Sequence, residues 1–173
     1  MRCLKIFNRA AALLAAAAAL AACSTSPSEK ELKQATEERA PLPAYPQFDR
    51  LVPVDLGGNY RYFIDPASIS VAARTVVRYT IVARSPAGVN NVTFEGLLCR
   101  SRQHRLYGIG REDGTWAPAR DSGWDAAGDS VGTYYGVLAD FYFCPNGKVV
   151  TDAADALQAL QLGRHPATAF TPW

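Results

Sequence analysis

Apolar and polar residues alternate through Val77-Arg78-Tyr79-Thr80-Ile81, the pattern of a strand with one buried and one wetter face. The same signal opens earlier, in Tyr60-Arg61-Tyr62-Phe63-Ile64, and is followed by Asp65-Pro66, which predicts a turn. Val92-Thr93-Phe94-Glu95-Gly96-Leu97-Leu98-Cys99 and Arg105-Leu106-Tyr107-Gly108-Ile109-Gly110 predict two further strands. Gly57-Gly58-Asn59, Ser85-Pro86-Ala87-Gly88 and Glu112-Asp113-Gly114 supply short connections, and strands joined by short loops make an antiparallel meander.

After Trp124 the period changes. Thr133 to Phe143 is apolar and aromatic without alternation and predicts a helix with Tyr134, Leu138 and Phe141 on one side. A second helix is predicted through Ala156, Leu157, Leu160 and Leu162, capped by Thr151 or Asp152 and ended by Gly163 and Pro166. The expected fold is therefore α+β, an antiparallel β-meander packed by one or two helices including a C-terminal one.

The chain opens differently. Arg2, Lys5 and Arg9 precede the apolar run Ala10 to Leu20, and Leu20-Ala21-Ala22 stands directly before Cys23. That order is a signal peptide, and the run is shorter than the roughly 20 apolar residues of a permanent span. A small-residue cleavage site followed at once by Cys is similar to the lipobox of bacterial lipoproteins, which implies cleavage after residue 22 and lipidation of Cys23. Ser24, by resemblance to the sorting rule of Gram-negative lipoproteins, directs the product to the outer membrane, and the expected orientation faces the periplasm. Anchoring by more than one acyl chain is effectively stable. Residues 23–47 hold Pro27, Pro41, Pro43 and Pro46 and few large apolar residues, the composition of a flexible tether; residues 48–173 have the length of one domain.

Charge and cysteines narrow the picture. Without Arg2, Lys5 and Arg9, 15 of the 18 basic residues remain against 16 acids, a balance that does not favour nucleic acid as a partner. Arg100, Arg102, Arg105 and Arg111 lie close in sequence, and in strands their side chains are expected to face solvent. Cys3 leaves with the signal and Cys23 is lipidated, so Cys99 and Cys144 are expected to pair in an oxidising compartment.

Phe94-Glu95-Gly96-x-x-Cys99, then Arg105-Leu106-Tyr107-Gly108-x-Gly110-Arg111-x-Asp113-Gly114-x-Trp116, then Phe143-Cys144-Pro145 and the helix Asp152 to Leu162 together resemble the cryptic-neisserial-protein-like family of bacterial exported proteins. The resemblance covers roughly Asp55 to Leu162 and implies a fold and an address without a reaction. A weaker likeness, to small surface-adhesin lipoproteins of the protein E type, is one of fold and does not carry function.

No catalytic set emerges. His104 has Ser101 three residues before it, but neighbours along a strand seldom pair productively. Asp121, Asp125 and Asp129 recur every four residues without the EF-hand pattern. Gly108-x-Gly110 lacks a third glycine and a helix, so it is no dinucleotide fingerprint. With only His104 and His165 and no Cys-x-x-Cys, no metal site and no cofactor are expected.

The expectation is a non-enzymatic envelope lipoprotein, anchored in the membrane by Cys23 and presenting a disulfide-stapled domain to an envelope protein or the cell wall, with Tyr107, Arg111, Trp116 and Trp124 as its contact surface. The rival readings are a surface adhesin, a periplasmic enzyme acting on envelope polymers through His104 and the Asp121 to Asp129 loop, and a small-ligand carrier with an apolar cavity between sheet and helix.

Overall fold

The computed structural model describes residues 40–120, 123–129 and 132–168, which fall in one compact unit, Ala40–Trp173. The expected signal peptide and Cys23 lie outside the described residues. So does Asp121.

The strands are β1 (Val52–Val54), β2 (Arg61–Ala72), β3 (Val76–Arg84), β4 (Asn90–Leu98), β5 (Gln103–Gly110), β6 (Trp116–Pro118) and β7 (Asp125–Ala126). They form one antiparallel sheet in the order β1-β2-β3-β4-β5-β6, with β7 also pairing β5. This is the meander the alternation predicts, with one correction. Asp65-Pro66 does not end a strand; β2 continues through it, with a register shift between Asp65 and Ser70. Side chains satisfy the bulged backbone: the Asp65 carboxylate accepts from Ala67 N at 3.1 Å, and Ser68 Oγ donates to Asp65 O at 2.7 Å and accepts from Thr80 N at 2.7 Å.

Thr133 starts α1 (Tyr134–Val137), its hydroxyl accepting from Gly136 N at 3.0 Å. The segment then widens into a π-helix over Leu138–Phe143, closed by Cys144 N donating to Ala139 O at 3.0 Å. The wider turn moves the buried set from the predicted Tyr134, Leu138 and Phe141 to Leu138, Ala139, Tyr142 and Phe143, because α-helical spacing does not apply where bonds run from i to i+5. Asp152 caps α2 (Ala153–Gln161), accepting from Asp155 N at 2.9 Å, and Gly163 at φ 74° ends it.

The core lies between one sheet face and these helices. Ile64, Val77, Tyr79, Ile81 and Leu97 meet Leu138, Tyr142, Phe143, Val150, Ala156 and Leu160. Cys99 and Cys144 are bonded, with Cα atoms 5.3 Å apart, so β4 is stapled to the end of the π-helix.

The opposite sheet face is covered in part by the start of the unit. Gly108 and Gly110 make room: a Cβ on Gly108 would stand 2.6 Å from Leu42 Cδ2, and one on Gly110 would stand 2.9 Å from the Tyr45 hydroxyl. Trp116 Nε1 donates to Pro43 O at 2.9 Å, and Tyr45 OH donates to Arg111 O at 2.9 Å. Leu42, Pro43 and Tyr45 thus lie against the sheet, upstream of the boundary expected at Phe48.

Candidate functional site

Strand alternation points Thr93, Glu95 and Leu97 of β4 toward the helices, on the side where Cys99, just after the strand, meets Cys144. Glu95 is 1% exposed, and a lone carboxylate there is costly unless hydrogen-bonded. Four hydroxyls meet that need. Thr93 Oγ1, Tyr134 OH and Tyr135 OH donate to Oε1 at 2.6, 2.8 and 3.5 Å, and Tyr79 OH donates to Oε2 at 3.2 Å. Tyr79 stands opposite Glu95 in the β3–β4 register, whereas Tyr134 and Tyr135 descend from the first turn of α1.

Burial pushes the Glu95 carboxyl up, and the hydroxyl bonds pull it back only in part. The tyrosines respond in kind: burial, then the Glu95 charge, raises Tyr79, Tyr134 and Tyr135 above the ordinary phenol value. All three remain neutral donors at physiological pH.

Holding these hydroxyls inward fixes their rings as a wall. Ring centroids are 6.2 Å apart for Tyr60 and Tyr62, 5.4 Å for Tyr62 and Tyr134, 4.0 Å for Tyr134 and Tyr135, and 3.6 Å for Tyr135 and His104, the last pair stacked at 11°. Burial lowers the His104 pKa, with Asp125 acting against the shift, so the stacked imidazole is neutral. Beside the wall the sheet surface opens toward solvent. Ile109, 47% exposed, pairs with half-buried Thr93, and half-buried Ala83 pairs with exposed Asn91. The result is a shelf of small and apolar side chains bounded by tyrosines.

The chemistry of this arrangement is that of a contact surface. Glu95 is sealed from solvent with both oxygens occupied, so it does not meet a substrate. Ser101 Oγ bonds Gln103 Oε1 at 2.7 Å, not His104. His165 serves structure: its Nε2 meets Asp155 Oδ1 at 3.0 Å and its Nδ1 accepts from Ala167 N at 3.0 Å. Asp125 does pair with His104 in register, while Asp129 Oδ1 accepts from Gly132 N at 3.0 Å. No group of three or more His, Cys, Asp or Glu that could hold a metal ion occurs among the described residues. The space between sheet and helices is filled by Tyr79, Phe143 and their neighbours; a cleft of about 310 Å³ lies instead at the β1–β2 hairpin.

Of the four residues expected as a contact surface, three come together. Tyr107 is buried against Phe94 at 5.5 Å, Trp116 meets Tyr45 at 5.3 Å with the rings tilted by 54°, and Arg111 Nη1 donates to Trp116 O at 3.2 Å. They sit on the face opposite Glu95, where Leu42 to Tyr45 pack. Trp124 stands apart, before β7, where its carbonyl accepts from Gln103 Nε2 at 3.4 Å. The arginines also separate: Arg102 pairs with Asp140 and donates to Gly128 O at 2.8 Å, while Arg105 lies over the Tyr107 ring. Glu95 and the tyrosine wall are not among the expected site residues. Their signal in the sequence is one acid amid the apolar residues of a strand, together with the adjacent pair Tyr134-Tyr135.

A family model described as the CNP1-like family matches residues 30–161. The chain is also 28% identical over 148 residues to Cryptic neisserial protein 1 of Neisseria gonorrhoeae, an alignment covering 76% of this chain and 72% of that relative. No solved structure matches the chain.

Proposed function

This chain belongs to the CNP1-like family, and from that premise we propose that it is a non-enzymatic lipoprotein of the bacterial envelope whose tyrosine-walled shelf contacts an envelope protein or the cell wall. In this reading Cys23 carries the lipid anchor, the outer membrane holds the protein on its periplasmic side, and the disulfide keeps the domain folded in an oxidising compartment.

The observation that carries the reading is the use made of Glu95. A catalytic carboxylate must reach its substrate and is tuned near the working pH; this one is sealed and spends its bonding capacity on four hydroxyls. Its effect is to present rigid, half-exposed aromatic rings, which contribute much of the energy of protein contacts at little entropic cost.

The test is a cross-linked pull-down from envelopes with the wild-type protein, a Cys23→Ala control and an Ile109→Glu shelf variant, alongside fatty-acid labelling. Labelling at Cys23 and recovery of one envelope component with the wild type alone support the reading. Hydrolysis of envelope polymer by the purified protein, abolished by His104→Ala, would replace it with the enzymatic one.

A further inference from the structure

We propose that Arg61, Phe63 and Arg84 form a clamp for the phosphate groups of an anionic phospholipid surface, giving the domain a membrane contact of its own. Arg61 and Arg84 are direct partners in the β2–β3 register, an arrangement in which like charges repel. Both guanidinium groups lie over one ring, at 5.8 and 5.1 Å from the Phe63 centroid. Arg84 Nε donates to Asn90 Oδ1 at 2.8 Å, which fixes the guanidinium plane and leaves its terminal nitrogens for another acceptor. The ion pairs found among the described residues are Arg102–Asp140 and His165–Asp155; neither clamp arginine has a carboxylate partner there. Two preorganised, uncompensated guanidinium groups on one aromatic ring are complementary to a phosphate, which accepts from several N–H donors at once.

The surroundings favour a lipid as the phosphate's carrier. The cleft of about 310 Å³ is lined by Arg61 and Phe63 together with Gly57, Gly58 and Tyr60, so a headgroup has space beside the clamp. Val89, in the turn between Arg84 and Asn90, is 59% exposed and can enter the interfacial region as the arginines take the headgroups. Of the nearby carboxylates, Asp55, which also lines the cleft, accepts from Gly57 N through Oδ1, and Asp113 Oδ1 accepts from Thr115. Alternation places Arg61, Phe63 and Arg84 on the face opposite Glu95, Thr93 and Ile109. The inference rests on the envelope reading for the presence of a lipid surface, not for the geometry of the clamp.

The experiment is vesicle co-sedimentation of the chain from residue 23 onward carrying Cys23→Ala, which contains the whole compact unit and no acyl chain. Vesicles of phosphatidylglycerol in phosphatidylcholine, vesicles of phosphatidylcholine alone, and inorganic phosphate as a competitor are compared. The expected result is salt-sensitive binding to the phosphatidylglycerol vesicles, weakened about thirtyfold by Arg61→Gln/Arg84→Gln, the factor given by two basic residues at an anionic surface. Arg61→Lys/Arg84→Lys, which keeps the charges without the planar forks, should recover binding only in part, and thermal unfolding checks that each variant is folded. Equal binding to both vesicle types, binding of free phosphate without vesicle binding, or wild-type binding by the folded double Gln variant would each overturn the proposal. Because no acyl chain is present, such a failure leaves the assignment of Cys23 intact, whereas lack of fatty-acid labelling would overturn that assignment and not this one.

Discussion

Replacing Glu95 separates two accounts of its buried carboxylate. A buried ion often costs more in desolvation than it returns, and a hydrophobic residue of similar size can then be stabilising. Here the partners decide otherwise. Glu95→Leu leaves the hydroxyls of Tyr79 and Tyr134, bonded at 3.2 and 2.8 Å, without an acceptor in a closed space. Each orphaned hydroxyl costs about 1–3 kcal/mol, and Tyr135 and Thr93 retain some access to water. The expected loss is therefore about 3 kcal/mol, or roughly 10 °C in Tm for a domain of this size. Glu95→Gln is the matched control. Its carbonyl oxygen keeps the bonds from Thr93 and Tyr134, and its amide can donate to a Tyr79 hydroxyl that rotates to accept, so it should stay within about 1 kcal/mol of wild type. The assay is urea and thermal unfolding at neutral pH with the disulfide intact. A Leu variant as stable as wild type would refute the reasoning, since the tyrosine wall would then not depend on its acceptor.

The remaining predictions follow from single features. The Glu95 pKa is raised in the fold, so the folded state holds its proton more tightly; this contribution is fully present below the unfolded value of about 4.3 and is lost as pH rises through the folded pKa. Stability should fall with pH over that window in the wild type, and Glu95→Gln should flatten this component in a pH series of melts. Reducing the Cys99–Cys144 bond, which spans 45 residues, should cost about 4 kcal/mol on the chain-entropy account, read as a drop in urea midpoint with reductant. Gly108→Ala should turn the Leu42 side chain aside while the fold is kept, because the new Cβ would stand 2.6 Å from its Cδ2, the far end of a flexible side chain; a small shift of Trp116 emission without a large drop in Tm would report it. Thr133→Ala should lose about 1 kcal/mol by removing the cap of α1, measurable by denaturation.

Legibility in the sequence followed the reach of each signal. β3 and β4 were readable because alternation is local, although the face expected to be wetter is buried as well, at Val76, Thr80, Val82, Val92 and Phe94; α2 was readable because Asp152 and Gly163 mark its ends chemically. The π-helix was not, since nothing in Leu138 to Phe143 announces a change from 3.6 residues per turn. Asp65-Pro66 looked like a turn because the bonds that accommodate it come from Ser68 and from Thr80 across the sheet. Leu42 and Tyr45 looked like linker because a Pro-rich stretch carries few apolar residues, and the space for them comes from distant Gly108 and Gly110. The family resemblance was visible in ordered motifs. The tyrosine wall was hidden because its acid and its donors come from three separate segments, and a contact-surface assignment built on Tyr107, Arg111 and Trp116 followed aromatic content, which serves packing between the sheet and Leu42 to Tyr45.

Site-specific photo-cross-linking in living envelopes tests the contact-surface account most directly. A photoreactive residue is placed at Ile109 or Asn91 on the shelf and, as a control, at Leu162, which is 59% exposed after α2. The account predicts one dominant adduct to an envelope component from Ile109 and Asn91 and none from Leu162. Adducts of equal yield from all three positions, or from Leu162 alone, would contradict it.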